Sequence, residues 1–233
     1  MTLISPDTIP SATSLASQNH RSRPSAEKHL TWADSIRLAR PDDISALADT
    51  HAEALPNDFL VRLGKNFLRH VFFPTLLDSP RTRIHVAELD GQVMGFLVTR
   101  VGLGGILGET VARHPLRLAG TCVAAMIRAP RLFVDAFSVL AQLRMRASQA
   151  EANGVAELFL MAVAENARRR GVGRALIHAS IKELESAGIR SYRVLLHADN
   201  VPADRLYDRA GFAERATYRF AGQIWRERHV ALG

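Results

Sequence analysis

The sequence predicts an α/β chain of the α+β type, in which one helical insertion interrupts the run of strands. Three observations support this prediction. Some segments alternate apolar and polar residues as strands do, others repeat apolar residues every three to four positions as helices do, and an Asp-Gly pair joins two strand-like segments. The predicted order is β-α-α-β-β, then the insertion, then β-α-β-α-β-β. A length of 233 residues accommodates one domain with a substantial insertion.

The N-terminal part divides into an extension and the first strand and helices. Residues 1–32 are rich in Ser, Thr and Pro, so we expect a disordered extension before a folded domain at residues 33–232. The first strand is predicted at residues 36–38, where apolar and polar residues alternate. Apolar residues then follow helical spacing over residues 44–77, with an interruption predicted at Pro74.

A hairpin and the insertion follow these helices. Residues 83–89 and 92–101 alternate as strands, and Asp90-Gly91 between them suits the positive φ angles of a tight turn. The pattern then changes over residues 102–153, where two arginine-rich segments have helical spacing. We therefore predict a helical insertion between the third and fourth core strands.

Regular alternation of strands and helices resumes after the insertion. Residues 156–164 are a short apolar strand, residues 171–188 an amphipathic helix that Gly188 ends, and residues 191–198 another strand. A short helix that ends near Gly211 and two final strands complete the predicted order.

The composition restricts the partners and the compartment. A formal net charge of +7 and a pI near 10.4 indicate an anionic partner, which is a nucleic acid, a phosphorylated ligand or an anionic membrane surface. The single cysteine, Cys122, excludes an internal disulfide and fits a reducing compartment. No apolar run approaches the ~18 residues that a membrane span needs, and the N-terminus lacks the pattern of a secretory signal. We expect a cytoplasmic protein.

The segment RRRGVGR, residues 168–174, is the most informative because it follows a strand and opens a helix. The first N–H groups of a helix lack intrahelical acceptors, and the helix dipole makes that end positive. Gly171 and Gly173 let an anion approach the backbone. No Lys-Ser/Thr follows as in a P-loop, and Leu176 replaces the third glycine of a dinucleotide fingerprint. The residues alone leave two interpretations open, a phosphate-binding turn and a basic, solvated helix start.

Two motifs in the expected order resemble the GNAT superfamily of acyl-CoA N-acyltransferases. Residues 168–173 match the pattern [RQ]-x-x-G-x-[GA]. A second pattern of the family is matched by Asn200, Ala203, Tyr207 and Gly211-Phe212. The resemblance covers roughly residues 35–230 without the insertion. It implies the GNAT fold, which has a central mixed, mostly antiparallel sheet flanked by helices.

The resemblance also implies a site for acetyl-CoA and no metal. In such proteins the fourth core strand pairs with the pantetheine through backbone groups, and the turn after it holds the pyrophosphate. The matching strand residues are Met161, Ala162 and Val163. The matching turn residues are Arg168, Arg169, Arg170, Gly171, Val172, Gly173 and Arg174. Asn200 matches a position that often contacts the pantetheine, and the alternative is a turn-forming Asn before a helix.

Two residues match catalytic positions of the family. Tyr207 matches a common general acid, and a phenol with a pKa of ~10 can protonate a thiolate whose thiol pKa is ~8.5. The alternative is a tyrosine packed near Phe212. Glu157, at the start of the fourth core strand, matches a general base of some histone acetyltransferases, and the alternative is a solvent-facing residue. His197 is a further candidate base, or a strand histidine without a role.

The expected function is therefore an N-acetyltransferase that moves an acetyl group from acetyl-CoA directly to a primary amine. The acceptor is a small molecule, an amino sugar or a protein amine. A non-catalytic acyl-CoA sensor is the alternative. A nucleic-acid-binding protein is less favoured, because a recognised module is absent, and we expect no nucleic acid. Four roles are open for the insertion. It is a lid on the acceptor cleft, a homodimer interface, a basic contact with an anionic surface, or an added packing layer.

Overall fold

A computed structural model gives the fold and describes residues 32–101, 155–220 and 222–233. The helical insertion predicted at residues 102–153 lies outside the described residues, and so do residues 1–31 of the predicted extension. The site and the core are therefore built from the remaining segments.

Within the described residues, seven strands form one sheet in the order β1-β2-β3-β4-β5-β7-β6. Every neighbouring pair is antiparallel except β4 and β5, which are parallel, so the predicted mixed and mostly antiparallel sheet is confirmed. The strands are β1 (Ile36–Leu38), β2 (Thr82–Leu89), β3 (Gln92–Val101), β4 (Ala156–Val163), β5 (Ser191–His197), β6 (Ala213–Phe220) and β7 (Gln223–Ala231). The order of the described strands along the chain also agrees with the prediction.

Helices flank the sheet on both faces. They are α1 (Ile44–Ala54), α2 (Phe59–Arg62), α3 (Lys65–Phe67), α4 (Phe73–Asp78), α5 (Val172–Ser186) and α6 (Val201–Arg209). A π-helical turn, Leu68–Phe72, joins α3 to α4, so the irregularity lies just before Pro74 rather than at it. Proline is tolerated in the first turn of a helix, where its missing N–H has no intrahelical acceptor.

Two apolar clusters hold these layers together. Side chains alternate along β3, so Phe96 and Val98 pack beneath α1 and α4, whereas Leu97 packs on the opposite face with α5. The first cluster also contains Leu47, Leu68, Phe73 and Ala162. The second contains Leu158, Leu176, Tyr192, Tyr207 and Phe212. The sheet is therefore covered on both faces, as in other α/β layer architectures.

The sheet opens between its two parallel strands. Three residue pairs join β4 to β5, and the last of them is Leu158 with Val194. Beyond this point β4 continues beside β3 alone. A β-bulge lies at the same place, because Leu158 and Leu160 face consecutive residues of β3 and leave Phe159 as an extra residue. A bulge bends its strand, so it accounts for the separation of β4 from β5.

Candidate functional site

The open side of β4 presents backbone groups that no strand covers in the described part of the sheet. The N–H of Ala164 donates to the carbonyl of Met94 at 2.9 Å, which identifies a hydrogen-bonded pair of the β3–β4 ladder. Hydrogen-bonding direction alternates along an antiparallel strand, so Ala162 also points its backbone groups at β3. Met161 and Val163 point theirs toward the gap between β4 and β5. The structure thus favours these two residues as backbone contacts over Ala162, whose side chain is buried in the first cluster.

The side chain of Arg168 uses part of this edge. Its Nε donates to the carbonyl of Val163 at 3.1 Å, and its Nη2 donates to the carbonyl of Ala54, the last residue of α1, at 3.4 Å. Three backbone groups that face the gap therefore stay available to a ligand. They are the N–H and carbonyl of Met161 and the N–H of Val163. Arg168 thus ties the turn to α1, although it is exposed like Arg169 and Arg170.

The turn after β4 leads into a helix whose first N–H groups are unpaired within the helix. Arg169 and Gly171 both have positive φ angles, 60° and 89°, and Gly171 immediately precedes α5. The N–H of Ala175 is the first in α5 to donate within the helix, to the carbonyl of Gly171 at 3.0 Å. The N–H groups of residues 172–174 consequently lack intrahelical acceptors, and Gly171 at the N-cap has no side chain that could accept from them.

Close packing at two glycines fixes where this helix begins. A Cβ at Gly173 would lie 3.0 Å from Leu206 of α6 and 3.9 Å from Met161 of β4, so three elements meet there. A Cβ at Gly95 of β3 would lie 3.0 Å from the carbonyl oxygen of Ala162 and 3.2 Å from Val172. The sequence prediction missed Gly95, although a glycine inside a strand pattern often marks a close approach.

Asn200 begins α6, which follows β5 at the open end of the sheet. Its Oδ1 accepts a hydrogen bond from the N–H of Ala203 at 3.3 Å, as an N-cap residue does. The helix-start interpretation of this residue therefore has direct structural support.

Tyr207 is buried on the inner face of α6. Its ring packs against Phe212 with 5.7 Å between centroids, in the cluster that Met161 and Val163 border. Among the described residues, its hydroxyl has no hydrogen-bond partner. Burial raises the pKa of Tyr207 above its usual value, and the neighbouring Tyr192 raises it further. The phenol therefore stays protonated across the physiological range.

Glu157 lies at the paired end of β4 rather than at the open end. Its side chain is buried, and its Oε2 accepts hydrogen bonds from Nε and Nη2 of Arg193 on β5, at 2.9 and 2.8 Å. The carboxylate is thus part of a buried ion pair that joins the two parallel strands. This arrangement favours a structural role for Glu157 over the general-base role, and it also differs from a solvent-facing residue.

The ion pair continues across the sheet into β7. Arg193 lies 3.8 Å from Glu227, whose carboxylate also receives hydrogen bonds from His229 and Tyr218. The hydrogen bond from His229, together with those from Tyr218 and the charge of Arg193, lowers the pKa of Glu227 to about 2 despite partial burial. The sequence prediction missed this network, since charged residues in strands usually face solvent. The rings of His197 and Trp225 lie 3.7 Å apart between centroids and are tilted by 39°.

Residues 47–212 match the model of the Acetyltransferase (GNAT) family, which is well over half of the chain. The chain belongs to the GNAT acetyltransferase family. This finding confirms the predicted family, the acyltransferase class and acetyl-CoA as the co-substrate. Within the described ranges, no group of three His, Cys, Asp or Glu residues could hold a metal ion, and no helix is long and apolar enough to cross a membrane.

Curated relatives of this GNAT protein differ in how much of each chain aligns. An N-alpha-acetyltransferase of Sulfurisphaera tokodaii is 25% identical over 180 residues, which are 77% of this chain and 80% of that enzyme. The [ribosomal protein bS18]-alanine N-acetyltransferase of Escherichia coli is 42% identical over 64 residues, 28% of this chain and 43% of that one. A mycothiol acetyltransferase of Pseudarthrobacter chlorophenolicus is 40% identical over 58 residues. Those cover 25% of this chain and only 18% of that enzyme.

Solved structures agree on the fold. The ribosomal-protein-alanine N-acetyltransferase of Brucella melitensis has a TM-score of 0.54 at 20% identity, with 84% of this chain and 99% of that chain covered. Arabidopsis thaliana NAA60 in complex with acetyl-CoA has a TM-score of 0.52 at 16% identity, with 84% and 97% covered. At these identities the likeness concerns the fold alone. The cytoplasmic location, the homodimer and the contact of the insertion with an anionic surface stay predictions.

Proposed function

We propose that this GNAT acetyltransferase transfers an acetyl group from acetyl-CoA directly to a primary amine, with the α-amino group of a polypeptide as the favoured acceptor. The observation that supports direct transfer is the gap between β4 and β5, which has an uncovered backbone edge on one side and a buried tyrosine nearby. A site of this kind binds an extended thioester and leaves its carbonyl open to an incoming amine.

The described residues fit acetyl-CoA in two places. The N–H and carbonyl of Met161 and the N–H of Val163 suit the amide groups of an extended pantetheine, as in the addition of a strand to a sheet edge. The N–H groups of residues 172–174 suit the pyrophosphate, because a helix start favours anions. The exposed guanidinium groups of Arg169, Arg170 and Arg174 add positive charge around the same point.

Tyr207 acts on the leaving group in this mechanism. The amine attacks the thioester carbonyl, the carbon–sulfur bond of the resulting adduct breaks, and the sulfur leaves as a thiolate that needs a proton. Burial keeps the phenol of Tyr207 protonated, so a donor is present at every turnover. Because its raised pKa makes full proton transfer less favourable, hydrogen bonding to the developing thiolate is the larger contribution.

The base that deprotonates the ammonium form of the acceptor is a separate question. Glu157 is held by Arg193 where the two strands are still paired. His197 lies at the open end of β5, so of the two we assign His197 as the residue to test. An imidazole has a pKa suited to this transfer near neutral pH.

The extent of the similarities favours an α-amino acceptor. The likeness to the N-alpha-acetyltransferase runs over about three quarters of this chain, whereas the likeness to mycothiol acetyltransferase is confined to a quarter. Similarity over a larger part of the chain includes more of the surfaces that contact an acceptor. An amino-sugar acceptor is therefore the second candidate.

An acceptor panel tests this proposal. The purified protein is incubated with acetyl-CoA and one of three amine types, and free thiol release is followed. The panel contains peptides with free N-termini, N-terminally blocked peptides that contain lysine, and glucosamine-type sugars. We expect turnover with the free N-termini. Turnover with sugars alone would overturn the acceptor assignment, and coenzyme binding without turnover on any amine would indicate a sensor instead.

The substitution Tyr207→Phe tests the mechanism. We expect kcat to fall about 100-fold, because one proton donor is lost, while the Kd for coenzyme A stays unchanged. Tyr192→Phe is the matched control, since Tyr192 is equally buried but its hydroxyl bonds Thr99 and Ser180. Equal kcat in the wild type and in Tyr207→Phe would remove Tyr207 from the chemistry.

A further inference from the structure

The two flanks of α6 differ in how their charges are paired. On one flank, Asp204 bonds Arg226 at 2.9 Å and Arg228 at 2.8 Å, and Asp208 lies 3.3 Å from Arg228. These ion pairs join α6 to β7 and neutralise that flank. The acidic residues of the helix are thus engaged with the sheet.

The other flank carries two arginines without such partners. Arg205 and Arg209 are exposed, and among the described residues neither guanidinium has a carboxylate or a hydrogen-bond acceptor. They lie four residues apart, so their side chains are neighbours on the helix surface. Like charges at this spacing destabilise a helix slightly.

This flank borders the start of α5. Leu206 lies next to Arg205 in the chain and one turn from Arg209, and its side chain packs where a Cβ of Gly173 would be, at 3.0 Å. The helix α5 begins there with Arg174 exposed in its first turn, after the exposed Arg170. A phosphate-bearing ligand at the start of α5 therefore has the two arginines of α6 as its neighbours on one side.

We propose that Arg205 and Arg209 bind the 3′-phosphate of coenzyme A and so distinguish it from 3′-dephospho-coenzyme A. This inference rests on the proposed function. The backbone N–H groups of α5 suit the pyrophosphate, which leaves the phosphomonoester of the ribose to be met by side chains. A phosphomonoester carries close to two negative charges at neutral pH, and planar guanidinium groups match its oxygens well.

Calorimetric titration with both coenzymes tests the inference without an acceptor. The wild-type protein is expected to bind coenzyme A about ten-fold more tightly than 3′-dephospho-coenzyme A, as one charge-assisted contact would give. In the double variant Arg205→Gln and Arg209→Gln, affinity for coenzyme A should fall about ten-fold. Affinity for the dephosphorylated coenzyme should not change.

A charge-matched control separates a contact from a general field effect. The variant Arg190→Gln with Arg215→Gln removes two exposed arginines away from the start of α5, and it should leave both affinities unchanged. Equal weakening of both coenzymes in the α6 variant, or no weakening of either, would overturn the inference. If the wild type binds both coenzymes equally, only this inference fails, and if it binds neither, the proposed function fails as well.

Discussion

The two ends of β4 are built for different tasks. At its first three residues the strand is hydrogen-bonded to β3 on one side and to β5 on the other, and Glu157 is locked to Arg193. At its last residues it pairs with β3 alone, and Met161 and Val163 turn their backbone groups into the gap. This strand of eight residues is thus an interior strand before a single bulged residue and an edge strand after it.

The two ends of β4 contribute to different properties of the protein. Buried charge at the paired end is held by opposite charges on neighbouring strands, so removal of one partner should lower stability. Backbone at the open end contributes to binding, because no described strand pairs with its free side. Substitutions at the paired end should therefore change unfolding, and substitutions at the open end should change ligand affinity.

The largest expected effect is on stability at the paired end. Glu157→Gln leaves the buried Arg193 without its main countercharge, so the free energy of unfolding should fall by about 3 kcal/mol. Urea unfolding measures this loss, and calorimetry should show an unchanged Kd for coenzyme A. Preserved stability together with a large fall in kcat would instead establish Glu157 as a base.

The next effect belongs to the open end. Gly173→Asp places a carboxylate among the N–H groups at the start of α5, and the Kd for coenzyme A should rise about 100-fold. The free energy of unfolding should fall by a similar amount in Gly173→Asp and Gly173→Asn, because either side chain places a Cβ 3.0 Å from Leu206. Gly173→Asn is the matched control for volume, and an equal loss of affinity in that variant would make the effect steric.

Proline substitutions on neighbouring residues sharpen the comparison within the open end. Met161→Pro removes an N–H that faces the gap, so we expect about a ten-fold rise in the Kd for coenzyme A with little loss of stability. Ala162→Pro removes an N–H bonded to β3 and should lower the unfolding midpoint more. Thermal unfolding measures the stability of the two variants, and calorimetry measures their Kd for coenzyme A. Equal changes in both variants would contradict the register assigned to β3 and β4.

The smallest expected effect concerns pH and the far end of the ion-pair network. The folded-state pKa of Glu227 is about 2, below its ordinary value of 4.5, so its stabilisation is present above pH 4.5 and is lost as pH falls toward 2. The contribution is on the order of 1 kcal/mol. Between about pH 5.5 and about pH 3, the free energy of unfolding measured with urea should fall less in Glu227→Gln than in the wild type. Parallel declines in the two proteins would contradict this assignment.

Local patterns in the sequence predicted the order of the described strands correctly, together with the helices α1, α5 and α6. Alternation and helical periodicity are properties of short segments, so they are visible without the fold. The turn from Arg168 to Gly173 was found for the same reason, since its glycines and the helix start lie within a few residues. Its contacts with coenzyme A stay a prediction, as does the role of Tyr207.

Features that depend on distant segments were missed. The pairing of Arg193 with Glu157 and Glu227 requires β7 to lie beside β5, and no local pattern indicates that strand order. Gly95 matters because the backbone of Ala162 and the side chain of Val172, both far away in the chain, approach it closely. The backbone direction of Ala162 likewise depends on its register with β3, which side-chain patterns alone do not fix.

The bulge at Phe159 keeps the gap between β4 and β5 open. Because Leu158 and Leu160 already face consecutive residues of β3, loss of Phe159 would leave every other β3–β4 partner unchanged. The shortened strand would be straighter and would tend to stay beside β5, which closes the gap. A more regular sheet would thus bind an extended ligand less well. The gain or loss of the single codon for Phe159 would convert one form of the sheet into the other.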